Sequence, residues 1–175
     1  ENYNVEKEEI SVQEIVGTVR QLCELRASER NIALNFKTTE EIFIWANKLL
    51  LEQALVNLVD NAIKYNNPGG SIEFSINILE SEISFVVADS GIGIAAEQLP
   101  RLFERFYRVD KGRTRKEGGS GLGLSIVKHI AGIHQGRVSV ESVLGEGSKF
   151  YFIIPISADH VMLTRPEARK RVVGE

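Results

Sequence analysis

Apolar residues recur along this chain in two periods. From Asn47 to Asn66 the period is helical: Leu51, Leu55, Leu58 and Ala62 fall three or four apart, and Leu50, Ala54, Val59 and Ile63 widen the stripe. Asn47 suits an N-cap, and Asn66-Asn67-Pro68-Gly69-Gly70 is a stop. The same period predicts a helix over Val12–Glu29, with Ile15, Val19, Leu22 and Leu25 on its inner side, and another from about Leu122 to Ile133. A period of two appears in Ile72, Phe74, Ile76, Ile78 and in Ile83, Phe85, Val87, which predicts a hairpin across a tight Leu79–Glu82 turn. A last hairpin is expected from Arg137–Ser142 and Lys149–Pro155, joined by Leu144-Gly145-Glu146-Gly147. Short strands, Ile32–Phe36 and Ile42–Trp45, flank the polar turn Lys37–Glu41. Strands and helices without βαβ regularity predict an α+β fold, a two-layer α/β sandwich. Its sheet would be mixed but mostly antiparallel, covered on one face by about three helices. Residues 1–9 read as a linker, 10–156 as the domain, and 157–175 as a polar, Arg-rich tail without a pattern, expected to fray.

The polar side of the Asn47–Asn66 helix is unusual. Gln53, Asn57, Asp60, Asn61 and Lys64 lie three and four apart and so share one face. A merely solvated face favours Lys and Glu, which are better helix formers than Asn and Asp. Amide oxygens followed one turn later by a cation suit a hydrated divalent ion and the phosphates it bridges. An ordinary polar surface helix accounts for this stretch equally well. Asp89-Ser90-Gly91-Ile92-Gly93-Ile94 follows a strand, where a carboxylate can accept from an exocyclic amine, although a simple Asx turn also fits. Gly118-Gly119-Ser120-Gly121-Leu122-Gly123-Leu124 runs straight into a helix, whose free amides form an anion site that glycines leave open. Its spacing is neither G-x-G-x-x-G nor that of a Walker loop. Between the two clusters, Phe103 and Phe106 are expected to anchor a loop in the core. Arg108 could supply charge to a phosphate, and the following Lys111, Arg113, Arg115 and Lys116 read as a solvated segment.

Composition narrows the classes. A chain of 175 residues suits one domain with a sizeable core, and a net charge of −3 implies no large nucleic-acid footprint. The single cysteine, Cys23, cannot form an internal disulfide and is expected to pack on a helix. No apolar run reaches the roughly 18 residues of a membrane span. His129, His134 and His160 lack Cys or carboxylate neighbours at metal-ligand spacing, and none is read as a ligand or phosphoacceptor. The abrupt, charged start suggests a piece of something longer.

Taken in order, these signals resemble the catalytic, ATP-binding domain of bacterial sensor histidine kinases. EQALVNLVDNAIKY is similar to that family's asparagine box, DSGIGI and GGSGLGL to its glycine boxes, LFERFYRVD to its phenylalanine box, and GEGSKFYFIIP to its last glycine box and closing strand. The likeness runs from about Val12 to Pro155 and implies the sandwich shared with gyrase, a class of heat-shock chaperones and MutL-type ATPases. It implies ATP and Mg2+ as cofactors. Asn61 would ligate the metal with Asn57 as helper, Lys64 would lie near the phosphates, and Tyr65 near the adenine. Asp89 would bind the adenine amino group, directly and through water, Gly93 would leave room for the ring, and Gly91 would belong to the same nucleotide-binding set. Arg108 would face the phosphate tail. Gly119, Gly121, Gly123 and the amide of Leu122 would hold the phosphates under a mobile lid, Val109–Ser120. Gly145 and Gly147 would shape the neighbouring hairpin.

The resemblance also bears on what happens to the phosphoryl group. Hydrolysing relatives carry a glutamate one turn before the metal-binding asparagine. Here that residue is Asn57, whose amide cannot take a proton from water. Asp60 lies about 100° around the helix from Asn61 and is a poorer candidate. The implied activity is that of a protein histidine kinase with Asn57, Lys64 and Arg108 in catalysis, donating to a histidine on a separate dimerisation and phosphoacceptor domain. The acceptor segment of that domain is not found in this sequence. A response regulator would act downstream. Membrane contact would come only through a parent protein anchored in the bacterial inner membrane, with this domain in the cytoplasm. A non-kinase ATPase or switch of the same fold, and a degenerate nucleotide-binding module, are the alternatives.

Overall fold

A computed structural model describes residues 5–37, 40–109, 120–156 and 162–163. In chain order the elements are β1 (Glu8–Ser11), α1 (Val12–Glu29), β2 (Ala33–Phe36), β3 (Ile42–Ala46), α2 (Lys48–Lys64), β4 (Ser71–Leu79) and β5 (Glu82–Asp89). A 3-10 turn (Ala96–Arg101), α3 (Gly123–Ile133), β6 (Arg137–Val143), β7 (Gly147–Pro155) and β8 (Met162–Leu163) follow. Five strands form the main sheet in the order β2-β4-β5-β7-β6. Only the β2–β4 pair is parallel. A small sheet, β1-β3-β8, lies apart from it.

Strand alternation builds one apolar face. Ile72, Phe74 and Ile76 of β4, Ile83, Phe85 and Val87 of β5, and Phe150, Phe152 and Ile154 of β7 are all buried. The register sets Phe74 opposite Val87, Val87 opposite Phe150, and Phe85 opposite Phe152. Their rings meet edge to face or tilted, with Phe74–Phe85 centroids 6.5 Å apart and Phe85–Phe152 6.3 Å apart. The helices lie on this face, so the expected two-layer, mostly antiparallel α+β sandwich is the fold observed. The main-sheet hairpins form where the period-two runs placed them.

In α2 the buried residues are Leu51, Ala54, Leu55, Leu58, Val59, Ala62 and Ile63, the stripe expected from the sequence, with Leu50 only partly covered. Asn47 caps it, its Oδ1 accepting from Leu50 N–H at 3.0 Å. The inner side of α1 differs from expectation. Leu22 and Leu25 are 53% and 68% exposed, and the buried stripe continues from Ile15 and Val19 through Cys23 and Ala27. Spacing of four selects those smaller residues, and Leu25 turns to the opposite side. The ends differ too. Glu8 and Glu9, read as linker, pair with Ala46 and Trp45 in β1–β3. Met162 and Leu163, read as frayed tail, pair with Phe43 and Ile42. The two short strands around Lys37–Glu41 belong to different sheets.

Candidate nucleotide site

Helix α2 positions the site because its two sides have different work. With one side locked into the core, the other side, carrying Asn57, Asp60, Asn61 and Lys64, faces a cavity of about 730 Å3. Across it stand Asp89 at the end of β5, Gly93 in the turn after it, Arg108, and Gly121 and Gly123 at the start of α3. Tyr65, at the C-cap of α2, lines the same space, with the Lys64 ammonium 5.3 Å from its ring centre. Residues far apart in sequence thus converge in one place. Gly119 lies outside the described residues, as does Asp110–Gly119, most of the segment expected to form a lid.

Two of the expected residues do not line the cavity. Gly91 is buried behind Asp89, and its N–H donates to Asp89 Oδ1 at 2.8 Å. Leu122 directs its N–H to Ser120 Oγ at 3.3 Å, because the turn closes on its own serine before α3 begins. The phenylalanines also part company. Phe103 packs edge-on against Phe150, whereas Phe106 is 73% exposed with φ +63 and no core role. Its N–H instead donates to the Gly121 carbonyl at 3.0 Å, tying the loop after the 3-10 turn to the start of α3.

Asp89 is a half-buried carboxylate at the end of β5. Burial raises its pKa above the ordinary value, and the N–H groups of Gly91 and Ser148 work against that rise. Gly93 packs where a side chain has no room: its φ is +67, and a Cβ there would lie 2.0 Å from the Val143 carbonyl oxygen. The turn bearing Asp89 is therefore seated directly on the β6–β7 hairpin.

On the far side of the cavity α1 reaches α2. Arg26 pairs with Asp60 at 3.0 Å, and Cys23 Sγ lies 3.9 Å from the same carboxylate. Burial first, and then Asp60, push the Cys23 thiol up to about 11. Asp60 is likewise raised by burial and lowered by Arg26. Arg30 Nη1 donates to the carbonyls of Ile63 and Lys64 at 3.3 and 3.0 Å, a cation on the C-terminal end of α2. Arg26, Arg30 and Ser148 all line the cavity and escaped the sequence reading. Arg26 sits in a helix read only for its apolar stripe, and Arg30 is the C-cap of that helix. Ser148 directly follows Gly147, a position read only as hairpin geometry.

The donor set suits a magnesium–phosphate complex rather than a protein-only metal cage. Among the described residues no group of three His, Cys, Asp or Glu side chains is placed to hold a metal. The Asn57 and Asn61 side chains face the cavity one turn apart, and no other described residue takes up their amides. Magnesium keeps most of its waters and takes one or two protein oxygens beside phosphate, which matches this arrangement.

A cavity between helix and sheet edge, lined by amides, carboxylates and cations, has the form of a small-molecule site. Residues 46–158 match the model of the histidine kinase-, DNA gyrase B- and HSP90-like ATPases, and the chain belongs to that family. It is 39% identical over 150 residues to the sensor histidine kinase CusS of Escherichia coli O157:H7, covering 86% of this chain and 31% of that one. Full-length ShkA, solved in complex with AMPPNP, aligns with TM-score 0.78 and 27% identity over 90% of this chain and 32% of ShkA. The histidine kinase ThkA, solved in complex with the response regulator TrrA, aligns with TM-score 0.72 and 27% identity, over 87% of this chain and 42% of that one. The chain spans 26% to 31% of the length of the first curated relatives it matches, two named sensor histidine kinases and one named a sensor protein. Among the described residues no helix is long and apolar enough to cross a membrane.

Proposed function

We propose that this chain is the catalytic domain of a two-component sensor kinase, binding Mg-ATP and giving its γ-phosphoryl group to a histidine on a separate dimerisation domain. The observation that carries this reading is the convergence of Asn57, Asn61, Lys64, Asp89 and Arg108 on one cavity. The base lies at Asp89, whose carboxylate takes the exocyclic amine, with Tyr65 and Gly93 beside the ring. Asn61, helped by Asn57, holds the magnesium, which supplies charge neutralisation to the phosphates when bound. Lys64, Arg108 and the backbone at Gly121 and Gly123 place and neutralise the triphosphate. ShkA with AMPPNP, an ATP analogue, supports the choice of nucleotide, and ThkA with TrrA supports a response regulator downstream. The domain works on the cytoplasmic side of a parent anchored in the inner membrane.

The cavity also bears on why the acceptor is a histidine rather than water. Asn57 carries no proton acceptor, and Asp60 is held by Arg26. Positioning and charge stabilisation, not deprotonation of water, are what this chain contributes.

Calorimetry with ATP and GTP tests the base site. ATP is preferred, because guanine turns a carbonyl toward Asp89, and Asp89→Ala lowers ATP affinity by about tenfold or more. Equal binding of the two nucleotides, or an unchanged Asp89→Ala variant, overturns the assignment.

A further inference from the structure

The hydroxyl of Ser142, on β6, meets three groups. Ile94 N–H points at its Oγ at 2.8 Å, the Gly147 carbonyl lies at 2.9 Å, and the hydroxyl of Ser148 at 2.8 Å. A serine hydroxyl has one proton to give and two lone pairs to receive with. Ile94 N–H can only donate and the Gly147 carbonyl can only accept. Ser142 therefore gives its proton to Gly147, receives from Ile94, and has one lone pair left for Ser148. Ser148 must be the donor in that last bond. Its own proton is committed, so only lone pairs remain on Ser148 Oγ.

Ser148 is 9% exposed and lines the cavity beside Asp89, whose carboxylate also receives the Ser148 backbone N–H. In register, Asp89, Ser148 and Ser142 are neighbours across three strands. We infer that Ser142 is a positioning residue for base selection: it fixes the proton of Ser148 so that this edge of the cavity presents acceptors only. A base edge carrying an amino group satisfies such a wall, and a carbonyl at the same place leaves acceptors facing one another. Ser142 touches no ligand itself. It also ties the turn bearing Ile94 to the β6–β7 hairpin, so the two walls of the base site move as one unit.

This inference rests on the reading that a purine lies against Asp89, and the test separates the two. ATP and ITP differ only at the purine base, where ITP replaces the amino group with a carbonyl and carries a proton on the adjacent nitrogen. Binding of each, with magnesium, is measured for the chain and for Ser142→Ala, Ser142→Thr and Ser142→Ala/Ser148→Ala. Ser142→Ala releases the Ser148 proton, which can then be given to the ITP carbonyl, and the ATP-to-ITP affinity ratio falls by about tenfold. Adding Ser148→Ala abolishes the gain in ITP binding, and Ser142→Thr, which keeps the hydroxyl, keeps the ratio. Proportional loss of both nucleotides in Ser142→Ala overturns the inference, since a purely structural serine would do just that. Should Ser142→Ala not fold, Ser148→Ala is compared on ATP and on purine riboside triphosphate, which lacks the amino group. A loss confined to ATP is expected, and an equal loss on both overturns the inference. A parent chain that binds no ATP, or binds ITP as well as ATP, overturns the nucleotide reading instead.

Discussion

Asn57 and Asp60 lie three residues apart on α2, just under one helical turn, and their difference in chemistry is central to the proposed reading. In the proposed reading an amide stands where hydrolysis would need a base, and the nearest carboxylate on that helix is ion-paired 3.0 Å from Arg26. Asn61 is the residue with most to lose. Its oxygen is the proposed metal ligand, and magnesium's octahedral demand leaves few substitutes. Asn61→Ala is expected to weaken magnesium-dependent ATP binding by roughly tenfold or more, about 1.4 kcal/mol. Calorimetry with and without magnesium checks it, and unchanged affinity in both conditions removes Asn61 from the metal. Cys23 gives a second residue-scale prediction. A fully buried thiol with a pKa near 11 holds only about one part in a thousand as thiolate at pH 8. A chromogenic thiol reagent should therefore label the native chain slowly and the urea-unfolded chain at once. Equal rates would mean that α1 does not pack as described.

At the scale of elements, α2 is held at both ends. Arg30 reaches its last carbonyls, and His134, beyond α3, reaches its N-cap. His134 is 3% exposed, and its ring bridges the Asn47 N–H (3.1 Å to Nε2) and the Ile130 carbonyl (2.9 Å from Nδ1). One partner only donates and the other only accepts, so the ring must be neutral with its proton on Nδ1. Burial chiefly, with the charge of Lys7, lowers its pKa below 6.5, against a smaller rise from the Ile130 bond. The unfolded chain then binds the proton more readily than the folded one. Stability is full above pH 6.5 and declines as pH falls from there toward the depressed folded value. Urea titrations between pH 8 and pH 5 should show this fall, and His134→Gln should flatten it. A His134→Gln profile as steep as the parent's would place the sensitivity elsewhere. The elements themselves were legible where large apolar residues mark a period, as in α2, β4 and β5. They were misjudged where small ones carry the packing: Cys23 and Ala27, not Leu22 and Leu25, continue the buried side of α1. Pairing of β1 and β8 with β3 depends on partners distant in sequence, which local periodicity cannot reveal.

Across the whole molecule, the cavity is where legibility and its limits meet. Asn57, Asn61, Lys64, Asp89 and the glycine turns were visible because motifs concentrate unusual residues at fixed spacings. Ser142, Ser148, Arg26 and Arg30 were not, because each acts through the tertiary arrangement that brings it to α2 or Asp89. Together these parts support the proposed reading, in which the chain holds and polarises ATP for transfer and no described residue on α2 serves as a base for water. The measurement that tests this most directly uses radiolabelled γ-phosphate ATP, magnesium and the purified chain, with and without the histidine-bearing dimerisation domain of the parent kinase. Alone, the chain should release phosphate very slowly and stay unlabelled. With the partner present, an acid-labile phosphohistidine should accumulate on the partner. Brisk phosphate release by the chain alone, or label on its own His129, His134 or His160, would contradict the account and make the protein a hydrolase or a self-modifying switch.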